Sequence, residues 1–464
     1  MSLFVGYQLR NGFKIQDIAD KMEKTSHRVI KNKTLVIIGV SVICVVLALV
    51  IAVGVLADKS SKVVYKTLAL ERQENSAPQG EDTALTSCQK CVKNPNALNP
   101  DLDYAKCILD HYPLVDGHND MAYEFYSNVA NKVYSVDMSQ DLRKHYPNAT
   151  NYTHTDIPRL REGKLSAQFW SLFVLCTTQH VSAVQRSLEQ LDTIKKFTNK
   201  YPSFFKFVTT ADGIQNAFDE GKFASLIGME GGDSINSSLG SLRMFYDLGV
   251  RYMTLTHNCN PPWADSHSVE TESSIAKHNG LTKFGEIVVK EMNRLGMLIH
   301  LAHVSKKTMI DAISVSRAPV IFSHSSAYTL CNSSRNVPDD VLMLTKKNGG
   351  IVMVNFYPYF LTCKEEATLG DVADHIDYIK NKIGIDHVGI GGDFDGMDIV
   401  PKGLEDVSKY PFLFAELVRR NWTEEDLAKV AGQNIIRVFK RAEEVRDELK
   451  FEKPSEDILE ETDI

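Results

Sequence analysis

Two kinds of apolar segment punctuate this chain. One, residues 35–57, is uncharged and rich in Val, Ile and Leu, and at about 1.5 Å per residue it can cross about 30 Å of hydrocarbon. It reads as an uncleaved transmembrane helix, because it is longer than the roughly 7 to 15 residues of a signal-peptide core and begins more than thirty positions in. The other kind is a series of short runs at 113–117, 167–175, 223–229, 251–256, 297–302, 319–323, 350–355 and 387–391, each with the length and content of a buried strand. Between them lie stretches of helical period such as 182–198 and 282–295. Strand and helix alternating in this way imply parallel pairing with right-handed crossovers. The runs end in polar residues: His118 and Asp120, Glu230, His257, His303, His324, Asn355 and Asp393. In a (β/α)8 barrel the C-terminal strand ends converge on one face, where the active site is built. An open doubly wound sheet instead concentrates its chemistry at a switch point, so the α/β barrel, a TIM-like fold, is expected.

The domain organisation follows: a cytosolic tail at 1–34, the transmembrane helix at 35–57, a polar, Pro- and Asn-broken stalk at 58–105, the barrel at 106–445 and an acidic tail at 446–464. Lys21, Lys24, Arg28, Lys31 and Lys33 crowd the N-terminal flank of the helix, against a sparser Lys59, Lys62 and Lys66 with Asp58 and Glu71, which orients the short tail to the cytosol. The expected location is the plasma membrane, single-pass type II with the barrel outside the cell; secretion after cleavage is the alternative. The C-terminal end lacks the apolar tail of a lipid-anchor signal. With 43% hydrophobic residues, 24% charged residues and a net charge of -7, the composition is that of a globular protein with no general attraction for nucleic acid.

In that topology Cys88, Cys91, Cys107, Cys176, Cys259, Cys331 and Cys363 face an oxidising compartment, while Cys44 lies in the membrane segment. Disulfides are expected, with one of the seven thiols left over. Cys88 and Cys91 have the spacing of half a zinc knuckle that Cys107 and His111 could complete, but stalk disulfides are favoured over a metal site. Asn148, Asn151, Asn236, Asn332 and Asn421 each head an Asn-x-Ser/Thr triplet, the acceptor pattern for N-glycosylation.

The strand ends carry the chemistry. His118 and Asp120 lie two apart on extended chain, so both side chains leave one face and can reach one ion. Glu230 follows an apolar run and precedes Gly231-Gly232; a carboxylate there is costly unless paired or metal-bound. Lone histidines such as His303 and His324 are usually satisfied core residues, and Glu230 alone could be a helix cap. Three histidines and two carboxylates all at strand ends are harder to explain that way. The set suits zinc, and five donors exceed what one catalytic zinc needs, so two Zn2+ sharing a carboxylate are expected, with a bridging hydroxide as nucleophile.

These residues resemble the membrane, or renal-type, dipeptidases over about residues 110–439. The likeness runs through Asp116-Gly117-His118-Asn119-Asp120, Gly228-Met229-Glu230-Gly231-Gly232, Leu255-Thr256-His257, Leu301-Ala302-His303-Val304-Ser305, Ser323-His324-Ser325-Ser326-Ala327-Tyr328, Arg335-Asn336-Val337-Pro338-Asp339-Asp340 and Gly391-Gly392-Asp393-Phe394-Asp395-Gly396. The resemblance implies a two-zinc (β/α)8 barrel acting on dipeptides, some members cleaving cysteinyl-glycine conjugates, leukotriene D4 and carbapenems. It puts His118 and Asp120 on one zinc, His303 and His324 on the other, and Glu230 between them. His257 then steadies the oxyanion, Arg335 grips the substrate carboxylate and Asp393 shuttles the proton; without the resemblance, Asp393 and Asp395 could be calcium ligands, and half of a surface ion pair is the preferred reading of Arg335. It also implies disulfides Cys176 to Cys259 and Cys331 to Cys363, leaving Cys88, Cys91 and Cys107 for the stalk, and a homodimer that one of these could link. Two departures stand out: His300 occupies a position where familiar members carry Asp, and the C-terminal lipid signal is missing. Three residues before His303, His300 is expected on the opposite side of its strand. Another two-metal amidohydrolase and a non-catalytic receptor that keeps the barrel are the rival readings.

Overall fold

The computed structural model describes residues 91–145, 153–272, 275 and 278–460, all within one of the chain's two compact units. The expected transmembrane helix and cytosolic tail lie outside the described residues, as do Cys88, Asn148 and Asn151. Among the described residues no helix is long and apolar enough to cross a membrane.

Among the described residues nine strands form: β1 (Leu114–Asn119), β2 (Leu165–Phe173), β3 (Phe205–Phe207), β4 (Phe223–Glu230), β5 (Val250–Thr254), β6 (Leu298–His300), β7 (Ile321–Phe322), β8 (Ile351–Val354) and β9 (Val388–Ile390). All pair in parallel in the order β2-β1-β9-β8-β7-β6-β5-β4, and β2 also pairs with β4, from Ala167 opposite Ala224 to Phe173 opposite Glu230, which closes the barrel. The fold is the expected (β/α)8 barrel. The sequence reading missed β3, a three-residue strand that pairs with β4 at Phe223–Ser225, ahead of the point where β5 begins at Ile227. Several strands also stop short of their expected ends: β6 at His300 and β7 at Phe322. His257, His303 and His324 therefore stand on irregular chain just beyond the ladder, whereas His118 lies within β1.

Helices such as Ala183–Lys200 and Lys283–Leu295 form the outer ring, close to the expected spans. Thr282 starts the second by accepting a hydrogen bond from the Gly285 N–H, and Gly296 ends it in the left-handed conformation, the standard devices for satisfying helix ends. Inside the barrel, Val115, Ala167, Phe169, Leu226, Tyr252, Leu298, Ile321 and Met353 pack one apolar cluster, and a larger one fills the space between strands and helices. Gly228 is needed for the interior cluster, because a Cβ there would sit 2.0 Å from the Tyr252 ring. The helix Pro100–His111 packs on the helix Tyr410–Arg419. It is tied down by a disulfide between Cys91 and Cys107, two of the three cysteines assigned to the stalk.

Candidate active site

The C-terminal strand ends deliver the predicted residues to one place. Asp120 Oδ2 lies 3.2 Å from His118 Nε2, and Glu230 Oε2 lies 3.5 Å from the same nitrogen. The other Glu230 oxygen faces His303 Nε2 at 3.0 Å and His324 Nε2 at 3.3 Å, and those two nitrogens are 3.0 Å apart. Glu230 thus stands between a His118–Asp120 pair and a His303–His324 pair, the division expected for two ions. Asp393 Oδ1 sits 3.9 Å from His118 Nε2, while its Oδ2 accepts a 2.8 Å hydrogen bond from Asn355.

The loops that make this approach possible are locally unusual. His303, Asp393 and Asp395 take left-handed φ values of 63°, 63° and 65°, which non-glycine residues adopt only at a cost and which cluster at functional sites. In the Asp393 loop, a Cβ on Gly396 would lie 2.3 Å from Asp120 Oδ2. Beneath the mouth, Asp116 accepts from the His118 and Gly392 N–H groups, from Gln168 and from Tyr410. That carboxylate holds the first and last strands in register. Asp395, read alone as a possible calcium ligand, is a clamp of the same kind: it accepts from the His154 N–H at 2.6 Å and from Asn119 at 3.1 Å.

The donor set fits metal ions. The Nδ1 atoms of His118, His303 and His324 are engaged by Tyr252, Asn258 and Ser323, so all three Nε2 atoms face Glu230. His118 Nε2 and Asp120 Oδ1 are buried with no hydrogen-bond partner. Burial opposes a proton on His118, yet Tyr252, Glu230 and Asp120 raise its proton affinity well above the ordinary value. Burial, reinforced by Arg335 and His257 for His303 and by His118 for His324, pushes the other two imidazoles well below it. They are neutral, the form that ligates metal. Burial pushes Glu230 up, but His118, His257 and His303 outweigh it and hold the carboxylate well below its usual range.

His300 departs from the expected placement. Regular strand parity ends at His300 itself, so the turn to His303 does not carry the side chain to the outside of the barrel. Its ring lies inside, 5.3 Å from the His324 ring and 4.9 Å from Tyr252, with Nδ1 bonded to Thr254. It forms a floor beneath the cluster rather than part of it, and burial with His324 and His118 nearby keeps it neutral.

Above the cluster opens a cleft of about 570 Å³ lined by His257, Arg335 and Asp393 together with Tyr123, Phe173, Tyr357 and Phe360. Arg335 is only 3% exposed and neither terminal nitrogen has a partner. Its guanidinium lies over the Phe360 ring, 5.1 Å from the centroid. The loop around it is fixed by the Cys331–Cys363 disulfide and by Asn336, which donates to the Cys331 and Phe360 carbonyls. Burial lowers Arg335 to about 10. An unpaired, desolvated guanidinium facing a cleft calls for an anion. His257 packs against Phe173 and His303, and burial pushes it down to about 4. The second expected disulfide, Cys176–Cys259, pins the loop just after His257. Of the described glycosylation sequons, Asn236, Asn332 and Asn421 are all exposed. Sequence reasoning missed Tyr252, Asn258 and His267; only the inward parity of Tyr252 with Thr254 could have signalled the first.

Comparison with known proteins agrees with this geometry. The family model described as membrane dipeptidase (peptidase family M19) matches residues 102–453. Dipeptidase 3 of Macaca fascicularis is 47% identical over 354 residues, 76% of this chain and 70% of that protein. Dipeptidase 3 of Homo sapiens is 45% identical over the same shares. A metallo peptidase from Rhodobacter sphaeroides, solved with a phosphinate mimic of the dipeptide L-Ala-D-Ala, superposes with a TM-score of 0.62 at 25% identity, covering 71% of this chain and 99% of that one. With about three quarters of its length matched by one family model, and Glu230 set between the His118–Asp120 and His303–His324 pairs at the mouth of the barrel, the chain belongs to the membrane dipeptidase family, peptidase family M19.

Proposed function

We propose that this metallo-dipeptidase cleaves free dipeptides, cysteinyl-glycine conjugates among them, at a two-zinc centre in which His118 and Asp120 hold one ion, His303 and His324 the other, and Glu230 both. The observation that carries the reading is the pairing of that cluster with the buried, unpartnered Arg335 in one cleft. Zinc bound there supplies Lewis acidity at the scissile carbonyl and brings the pKa of its water to about 7. Arg335 pairs with the terminal carboxylate one residue beyond the scissile bond; a guanidinium fixed at that distance measures peptide length and rejects longer chains. His257, neutral because burial depresses it, donates to the carbonyl oxygen as charge develops there, so it binds the transition state more strongly than the ground state. Asp393 is pushed up to about 7 by burial, with Asp120 and Glu230 adding to the effect. Its Oδ1 takes the proton of the attacking water and returns it to the leaving amine, while Asn355 fixes Oδ2.

The catalytic domain is proposed to lie outside the cell, anchored by residues 35–57 and dimeric. The three disulfides Cys91–Cys107, Cys176–Cys259 and Cys331–Cys363 support an oxidising compartment. Elemental analysis of active protein is expected to find two zincs per chain, and glycyl and D-residue dipeptides are expected to be hydrolysed in a chelator-sensitive way. Unchanged turnover in Glu230→Gln, or active protein without stoichiometric transition metal, defeats the mechanism. Silence toward every dipeptide, indifferent to chelator, would favour a non-catalytic scaffold.

A further inference from the structure

Of the three histidines proposed as ligands, two find a hydroxyl at Nδ1: Tyr252 Oη lies 2.8 Å from His118 and Ser323 Oγ 2.9 Å from His324. A hydroxyl can donate or accept, so neither partner decides which ring nitrogen carries the proton. His303 differs. Its Nδ1 lies 3.1 Å from Asn258 Oδ1, an atom that only accepts. The same oxygen lies 2.9 Å from His267 Nε2, and His267 Nδ1 lies 3.1 Å from Ser334 Oγ, next to Arg335 in the chain.

We infer that Asn258 is a positioning residue whose side-chain carbonyl fixes the Nδ1–H tautomer of His303 and, through His267 and Ser334, ties that ligand to the loop carrying Arg335. The directions of the hydrogen bonds are consistent throughout. Ser334 donates to His267 Nδ1, His267 Nε2–H donates to Asn258 Oδ1, and His303 Nδ1–H donates to the same oxygen. A neutral imidazole donates from one nitrogen only, so His303 Nε2 is left with its lone pair facing Glu230 and His324. The opposite tautomer would aim an N–H at the ion's position and remove the ligand. Partners of this kind set both the tautomer and the orientation of metal-binding histidines.

Asn258 is itself held in place. Its neighbour Cys259 is disulfide-bonded to Cys176, and its backbone carbonyl accepts from Ser266 at 3.2 Å and Ser268 at 3.0 Å. The His267 N–H also donates to the His303 carbonyl at 2.7 Å, so the two rings that share Asn258 are joined through backbone as well. The chain of contacts spans the cleft from a metal-binding position to the substrate-carboxylate position, which places ion binding and carboxylate binding on one hydrogen-bonded strut.

This inference rests on the two-zinc reading, and the test separates the two. Full-length protein in detergent, stripped of metal, is titrated with zinc against a fluorescent chelator. Wild type is expected to take up two ions, and N258L to bind one of them about 10- to 100-fold more weakly. N258D, which keeps an oxygen acceptor for both rings, is expected to retain near-wild-type affinity. Independently of any loss of fold in N258L, nitrogen-15 histidine spectra of metal-free wild type, assigned with H303Q, are expected to show His303 protonated at Nδ1. Wild-type affinity for both zincs in N258L, or an Nε2–H tautomer for His303 in wild type, overturns the role of Asn258 and leaves the two-zinc centre standing. Failure of wild type to bind zinc overturns both.

Discussion

Replacing Arg335 with Met should move binding and stability in opposite directions. The guanidinium is buried, lies against Phe360 and has no partner at either terminal nitrogen. A charge-assisted pair with a substrate carboxylate contributes about 1.5–3 kcal/mol, and a carboxylate buried without its partner costs about 3–5 kcal/mol. R335M is therefore expected to lose about 10²- to 10³-fold in kcat/KM on a dipeptide, mostly through KM. The loss should be small on the same dipeptide with an amidated C-terminus, so the preference for a free carboxylate collapses. Stability changes the other way. Burial lowers Arg335 from the ordinary arginine range to about 10. At about 1.4 kcal/mol per tenfold change in proton affinity, the buried cation costs the ligand-free fold on the order of 3 kcal/mol. The folded state holds this proton less tightly than the unfolded chain, so the cost is fully present at every pH below about 10 and is relieved only as pH rises above that value. Metal-free R335M should thus unfold at a higher urea concentration than metal-free wild type at pH 7.5. The assays are steady-state kinetics on the paired substrates and urea titrations followed by circular dichroism. A variant that keeps its preference for the free carboxylate, or that is less stable than wild type without metal, would refute the reasoning.

His257→Phe keeps the packing on Phe173 but removes the donor, so kcat should fall about 10²- to 10³-fold with KM changed little; a fall confined to KM would show that the ring only binds substrate. Stripping the metal should abolish turnover and lower the melting temperature, and zinc at about a thousand times its Kd should restore about 4 kcal/mol of stability; a melting curve indifferent to chelator would count against ligation by the folded state. Asp233 is buried, pushed up to about 7 by desolvation with Glu230 adding to it, and its side chain has no partner beyond its own backbone N–H. A raised acid stabilises the fold below its ordinary value near 3.8 and loses that contribution as pH climbs to about 7. Metal-free D233N should therefore exceed wild type in urea resistance at pH 8 by on the order of 2–4 kcal/mol and match it near pH 4; equal midpoints at pH 8 would contradict the assignment.

The barrel and the cluster of polar side chains at its mouth were legible because both depend on order along the chain. Mainly apolar runs of five to nine residues recur with helical spacers, and a polar residue closing such a run must face the one end of the barrel that opens to solvent. That logic found His118, Asp120, Glu230, His303 and His324 before any contact was known. It failed where strands stop. Because β6 ends at His300 and β7 at Phe322, alternation could not be carried to His303, and His300 was expected outside the barrel when it lies inside. The Cys91–Cys107 pair and the Asn258–His267–Ser334 chain depend on contacts between positions distant along the chain, for which neither period nor spacing supplies a signal. The left-handed backbone at His303 and Asp393 is equally silent in the sequence, since neither residue is a glycine.

The unsatisfied atoms at the barrel mouth fall into two groups. His118 Nε2, Asp120 Oδ1 and the Arg335 nitrogens are buried without partners, but each faces a place where a cation or a carboxylate would satisfy it. Asp116 is just as deeply buried and accepts four hydrogen bonds, so the fold can saturate a carboxylate at this depth where only structure is required. Asp233 and His300 Nε2 are buried and unpartnered too, yet neither lines the cleft. Leaving a buried polar group unpaired costs about 1–3 kcal/mol, and only in the first group does ligand binding recover that cost. A stabilising substitution should therefore be possible at Asp233 without loss of turnover, whereas at Arg335 the same gain must come with loss of the substrate.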